Sequence, residues 1–228
     1  MPRHREPMSA PAAVDPQRAR ALDAASTRAI PRRRPYPWLE PGVLVGALVP
    51  IGVLVERAAR GALGANPIAQ ALNQLGLLAL ALLVAALACT PAKLLFGWTW
   101  PLRVRRELGL LAFLYVCLHI ATYTGLDQLF DWSAIWKDVT KRKFIYVGFA
   151  AFVLLIPLAL TSTNASVKRL GFARWKRLHR LAYVAPALGC LHFFWRVKKD
   201  VTEPLTYAAV LAVLLAIRLV TLVRTPGR

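Results

Sequence analysis

The chain has four histidines, and three of them, His119, His179 and His192, lie within long apolar stretches. An ionisable side chain in such a setting is costly and marks function by default. Two kinds of chemistry suit a set of intramembrane imidazoles. One is a proton relay, which wants carboxylates beside the histidines. The acidic residues near these stretches sit elsewhere: Asp127, Asp131 and Asp138 lie outside them and Glu107 at the start of one. The other is axial ligation of a b-type haem, for which imidazole nitrogen is the usual donor. That chemistry needs two histidines at one depth on facing helices.

Depth can be worked from the sequence. His119 lies 13 residues beyond Arg106, and His192 lies 15 residues beyond Arg177. At a rise of 1.5 Å per residue, both stand roughly 20 Å from the basic edge of their spans. The two spans run in the same direction, so His119 and His192 are expected to clamp one iron between them. His179 precedes His192 by 13 positions, which places it about 20 Å nearer the basic edge. At about 100° per residue the two also point some 140° apart around an ideal helix. Pro186 stands between them and can bend the helix enough to re-aim one. Arg105 and Arg106, not a histidine, occupy the level of His179 on the other span. His179 therefore either holds a second haem with an unusual or missing partner, orients a flavin or quinone, or caps its helix.

The elements that position these residues are membrane spans. Of 228 residues 57% are hydrophobic, in uninterrupted blocks that exclude an ordinary soluble domain. Spans need roughly 20 apolar residues. Six are predicted, at about 39–57, 72–90, 107–126, 143–162, 178–196 and 204–223, giving an all-α polytopic bundle. The net charge of +19 does not point to nucleic acid, because Lys and Arg gather between the apolar blocks and in the first 35 residues. Arg32, Arg33 and Arg34, then Lys93, Arg103, Arg105 and Arg106, then Lys168, Arg169, Arg174, Lys176 and Arg177 fall on one side. The positive-inside rule makes that side the cytoplasm, with both termini there. Residues 1–38, rich in Pro, Ala and Arg, read as a disordered basic cytoplasmic tail, and residues 39–223 as the membrane domain. Cys89, Cys117 and Cys190 are scattered in apolar sequence and read as packing thiols. Trp175, Lys176 and Arg177 form either an interfacial anchor or, with Arg174, a site for a flavin phosphate. Trp195, Arg196, Lys198 and Lys199 form an anchor or a docking patch on the opposite side.

The stretches "CLHIATY", "TSTNA", "WKRLHRLAY" and "LHFFWRVKKD", in this order and spacing, resemble the ferric-reductase-like transmembrane domain. Within it they are most similar to the MsrQ (YedZ) family of haem-binding membrane subunits. "GALGANPI" and "ACTPAKLL" extend the likeness to about residues 39–222. The resemblance implies a six-helix protein of the bacterial inner membrane that binds haem b and FMN. It implies electron transfer from the quinol pool, or from a cytoplasmic flavin reductase, to a periplasmic molybdopterin subunit, MsrP, which repairs methionine sulfoxide in envelope proteins. The haem-associated histidines of the family fall on His119, His179 and His192. In one departure, Asn73 of "NQLG" stands where some members carry a histidine. The alternatives are a ferric or cupric reductase of the wider superfamily and a histidine-relay proton channel.

Overall fold

A computed structural model describes residues 36–224 together with Asp15 and Gln17. Apart from those two residues and 36–38, the predicted basic tail over residues 1–38 lies outside the described residues. Among the described residues from Trp38 onward, nine α-helices form one compact unit. They are α1 (Leu39–Ala59), α2 (Pro67–Phe96), α3 (Pro101–Ala121), α4 (Trp132–Lys141), α5 (Lys143–Leu160), α6 (Asn164–Leu170), α7 (Phe172–Leu178), α8 (Leu181–Arg196) and α9 (Thr202–Arg224). Among the described residues there is no strand.

Local sequence sets the helix ends. Asn66 caps α2 by accepting from the Ala69 N–H at 3.0 Å, with Pro67 at the first helical position. The same helix stops at Gly97, whose φ of 71° is the left-handed conformation that glycine adopts without strain. Pro101 opens α3. Beyond Ala121 that helix widens into a π-helical turn, Thr122–Asp127. Thr122 and Thr124 there turn their hydroxyls back onto the carbonyls of Leu118 and Ile120, each at 2.9 Å. Asp131 caps α4 through the Ser133 and Ala134 N–H groups. The Ala134 N–H foremost, then the Ser133 hydroxyl and N–H, hold its carboxyl below the usual carboxylate range.

Among the described residues, five helical stretches are long and apolar enough to cross a membrane: Leu39–Ala59, Pro67–Phe96, Pro101–Asp127, Lys143–Leu160 and Thr202–Thr221. The chain is thus a polytopic helical membrane protein. The fifth predicted span, 178–196, differs. Its apolar part is α8, only 16 residues long, which at 1.5 Å per residue is about 24 Å, short of the ~30 Å hydrocarbon core. The break lies at His179–Arg180, where the backbone tightens to Ala182 N–H→His179 O and Tyr183 N–H→Arg180 O bonds. The chain continues on the near side of the break as α7. A window of apolar composition does not register a backbone break of this kind. The second span is in turn longer than the predicted 72–90, because Asn66 and Gly97 cap it well outside its apolar centre.

Two antiparallel pairs organise the bundle. Near one end α2 and α3 meet through Leu72 and His119, and near the other through Thr90 and Arg105. In the same way α5 and α8 meet through Phe144 and His192 at one end, and through Thr161 and His179 at the other. The pairs join where Leu80, Val84 and Leu87 of α2 pack on Cys190 and Phe193 of α8 and on Leu211 of α9. A second cluster of Leu155, Leu158 and Ala185 gathers Leu83, Phe113 and Val116 around it. The outer helix α1 leans on α3, and the Tyr115 hydroxyl donates to the Ala47 carbonyl at 2.6 Å. Leu44, Val45, Val53, Val210, Val213 and Leu219 point outward, as expected of surfaces solvated by lipid rather than water.

Candidate functional site

At the end of the bundle that carries Leu72 and Phe144, the two antiparallel pairs bring His119 and His192 together. Their ring centroids are 6.2 Å apart and their planes perpendicular, at 90°. Each ring is held in the same way. His119 Nδ1 lies 2.9 Å from the Leu72 carbonyl oxygen, and His192 Nδ1 lies 2.6 Å from the Phe144 carbonyl oxygen. A carbonyl only accepts, so both Nδ1 atoms carry the proton and donate. That fixes the tautomer and leaves both Nε2 lone pairs free for a metal, as for most metal-bound histidines.

The close approach depends on glycine. Leu72 is followed four positions on by Gly76, and Phe144 by Gly148. One helical turn of each partner helix therefore offers the carbonyl and, beside it, a bare Cα. A Cβ on Gly76 would stand 3.2 Å from His119 Cε1 and Nδ1. A Cβ on Gly148 would stand 2.5 Å from His192 Nδ1 and 2.9 Å from its Cε1, closer than real side chains come. Each imidazole lies where a side chain would otherwise be.

The arrangement would suit a metal that arrives with most of its ligands already in place. Among the described residues no three His, Cys, Asp or Glu side chains come together as a metal-binding group, so a bare ion would find only two protein donors. Imidazole–metal bonds are about 2.0–2.1 Å, so two rings with centroids 6.2 Å apart are near enough to share one metal. Two neutral imidazoles in an apolar bundle are the donor set of a b-type haem.

His179 lies at the opposite end. Its Nε2 is 3.1 Å from Thr161 Oγ1, and that hydroxyl itself donates to the Pro157 carbonyl at 2.6 Å. The hydroxyl proton is therefore committed, and His179 Nε2 is the donor to Thr161. Trp175 stacks on the imidazole at 4.0 Å between centroids and donates from Nε1 to the Thr161 carbonyl at 3.0 Å. Trp175 is thus part of this cluster and not only an interfacial anchor. Arg105, bonded to Thr90 Oγ1 at 3.3 Å, is the charge that acts on His179. Arg106 reaches Asn164 Oδ1 at 3.4 Å. Arg174, Lys176 and Arg177 are exposed on α7.

Sequence spacing places His119 and His192 at one depth, and the structure brings them into one site. His179 is remote from that site, with a tryptophan and a threonine for neighbours instead of another histidine. Three features escape the sequence reading. They are the two glycine turns, the Thr161–Trp175 clasp, and the inward turn of Arg196, which donates to Asn73 Oδ1 at 2.5 Å. A glycine four residues after an apolar residue, on a helix facing a histidine helix, is the one signal that could have found the first.

Comparison with known proteins agrees with this geometry. Residues 75–190 match the family model described as "Ferric reductase like transmembrane component". That segment contains His119, His179 and both glycines. Among curated relatives, the protein-methionine-sulfoxide reductase heme-binding subunit MsrQ of Rhodospirillum rubrum is 55% identical over 182 residues, covering 80% of this chain and 88% of the relative. MsrQ of Deinococcus radiodurans is 54% identical over 197 residues, covering 86% and 95%. MsrQ of Caulobacter vibrioides is 45% identical over 191 residues, covering 81% and 91%. Identity at this level over most of both chains, on a helical membrane bundle that pairs two histidines, means that the chain belongs to the MsrQ family of ferric-reductase-like heme-binding membrane subunits.

Proposed function

We propose that the chain is a haem b electron-transfer subunit of the bacterial inner membrane, with His119 and His192 as the axial ligands of one haem. It takes electrons from the quinol pool or a cytoplasmic flavin reductase. It delivers them to a periplasmic molybdopterin methionine-sulfoxide reductase, MsrP, for repair of oxidised proteins. Residues 39–223 form the haem-binding membrane domain and residues 1–38 a basic cytoplasmic tail, with both termini in the cytoplasm. The observation that carries this reading is the pair of imidazoles 6.2 Å apart, each with Nδ1 committed to a backbone carbonyl.

Haem, when bound, supplies one-electron chemistry at iron. The protein supplies the rest. The Leu72 and Phe144 carbonyls orient the ligand rings and raise their basicity. Gly76 and Gly148 leave room for the rings, and the apolar clusters of α2, α3, α5 and α8 exclude water. With basic loops on the cytoplasmic side, the histidine pair lies toward the periplasm, where it suits delivery to an acceptor there.

His179, with Trp175 and Thr161, is assigned to a cofactor at the cytoplasmic end, a second haem or FMN. A relay of protons among the histidines finds less support, since both Nδ1 protons of the pair are held by carbonyls that cannot pass them on. The proposal is tested on purified protein. A reducible b-type spectrum is expected, bleached in His119→Ala and His192→Ala, with electrons passed to purified MsrP. A colourless wild type, or proton flux in haem-free liposomes, contradicts it. Haem content on His179→Ala assigns the third histidine. A fall from two haems to one makes it a ligand, and unchanged haem with lost flavin makes it an FMN residue.

A further inference from the structure

Arg196 ends α8 four residues, and so about one turn, beyond His192. Its sequence neighbours Trp195 and Lys198 are exposed, whereas Arg196 is partly buried. The guanidinium carbon lies 5.7 Å from the centre of the Phe193 ring. Nη2 donates to Asn73 Oδ1 across the bundle at 2.5 Å. Asn73 directly follows Leu72, whose carbonyl holds His119. The Arg196–Asn73 bridge therefore ties the α2 turn that holds His119 to the α8 turn just beyond His192, and the charge of Arg196 acts on both imidazoles.

Among the described residues Arg196 makes no ion pair. Glu203 at the start of α9 acts on it from beyond ion-pair distance and is itself exposed. A guanidinium has five N–H donors in a fixed fork, and the one bond described here uses a neutral amide. Withdrawing such a cation from water is costly unless an anion faces it. A fork of this kind recognises a carboxylate best, through two parallel bonds. The group proposed to lie between His119 and His192 carries carboxylates of its own, since a b-type haem has two propionates on one edge.

We propose that Arg196, held by Asn73, is the carboxylate clamp for a propionate of the haem bound by His119 and His192. This rests on the haem reading above. The clamp turns the propionate edge toward the end of the bundle where α8 meets α9. It also sets a fixed positive charge beside the iron, which favours the reduced state. Arg196 thereby acts in retention and in redox poise, and Asn73 is the positioning residue that aims it.

The test uses detergent-purified full-length protein, wild type, Arg196→Gln, Arg196→Lys and Asn73→Ala. The readouts are haem loss to excess apomyoglobin and the midpoint potential. Each protein is examined with haem and, after reconstitution, with haem dimethyl ester, which lacks the carboxylates. Arg196→Gln is expected to lose haem about ten- to a hundredfold faster, the worth of a charge-assisted hydrogen bond, and to have a lower midpoint potential. Arg196→Lys should fall between it and wild type. The ester should leave wild type as fast as haem leaves Arg196→Gln, with no further acceleration in Arg196→Gln. Equal retention of haem and ester by wild type overturns the clamp. So does an ester effect of the same size in both proteins, which a merely structural arginine would give. If Arg196→Gln does not fold, the ester on wild type and the Asn73→Ala potential still decide. A wild type without haem removes the haem reading itself, whereas a haem-loaded wild type indifferent to the ester removes only the clamp.

Discussion

Gly148→Ala is the smallest change that should dismantle the site. The added methyl would stand 2.5 Å from His192 Nδ1, 2.9 Å from Cε1 and 3.1 Å from Cγ. Ordinary non-bonded contact is about 3.5–4.0 Å, so the ring must withdraw by roughly 1 Å. A metal–imidazole bond of about 2.0–2.1 Å does not stretch that far. Withdrawal also breaks the 2.6 Å bond to the Phe144 carbonyl. Overpacking costs about 1–3 kcal/mol and the lost hydrogen bond about 0.5–1.5 kcal/mol. Together they weaken haem binding at least tenfold. At Gly76 the same methyl meets His119 at 3.2 Å, so a shift of a few tenths of an ångström suffices. Gly76→Ala should keep its haem with a moved midpoint potential. Gly46→Ala and Gly52→Ala on α1, where a Cβ meets nothing within 4 Å, serve as controls for expression and folding. Haem per protein, from the pyridine haemochrome, is the assay. Full haem content and an unchanged spectrum in Gly148→Ala would refute the packing argument.

Three further outcomes follow. Thr161→Val removes the acceptor of the His179 Nε2 proton and should perturb whatever cofactor His179 serves while leaving the spectrum of the His119–His192 haem unmoved; a change confined to the latter would contradict the separation of the two ends. Tyr115→Phe should lower thermal stability by about 0.5–1.5 kcal/mol through loss of the bond to Ala47 that ties α1 to α3, with haem content kept, as thermal unfolding in detergent will measure. The carboxyl of Asp131 is depressed in the folded protein, so its support of α4 is complete above the unfolded value of about 3.9 and is lost as pH falls through the lower folded value. Hydrogen exchange of α4, corrected for intrinsic rates, should speed up in acid for wild type and already at neutral pH for Asp131→Ala, and equal protection of the two at neutral pH would refute the cap.

The spans were legible because lipid demands long apolar runs, and the histidine pair because a rise of 1.5 Å per residue converts spacing into depth. That arithmetic places His119 beside His192 with no knowledge of which helices touch. It also puts His179 at the far end near Arg105, but the angle of some 140° presumes an unbroken helix, and the chain breaks at His179–Arg180, where Thr161 and Trp175 hold the ring. It is silent on Gly76 and Gly148, since the need for a bare Cα comes from a neighbouring helix packed against it. Arg196 reads as a surface charge in a run of Trp, Arg and Lys, and only the fold turns it inward to Asn73. Depth is a property of one helix and follows from sequence. Facing is a property of two and does not.

The central claim is that His119 and His192 ligate one iron with perpendicular ring planes. Low-temperature electron paramagnetic resonance of the ferric protein tests it most directly. The 90° interplanar angle predicts a strongly anisotropic low-spin signal in wild type, lost in both His119→Ala and His192→Ala and kept in His179→Ala. A wild-type signal that survives replacement of either member of the pair, or wild-type protein that carries no haem iron, would contradict the account.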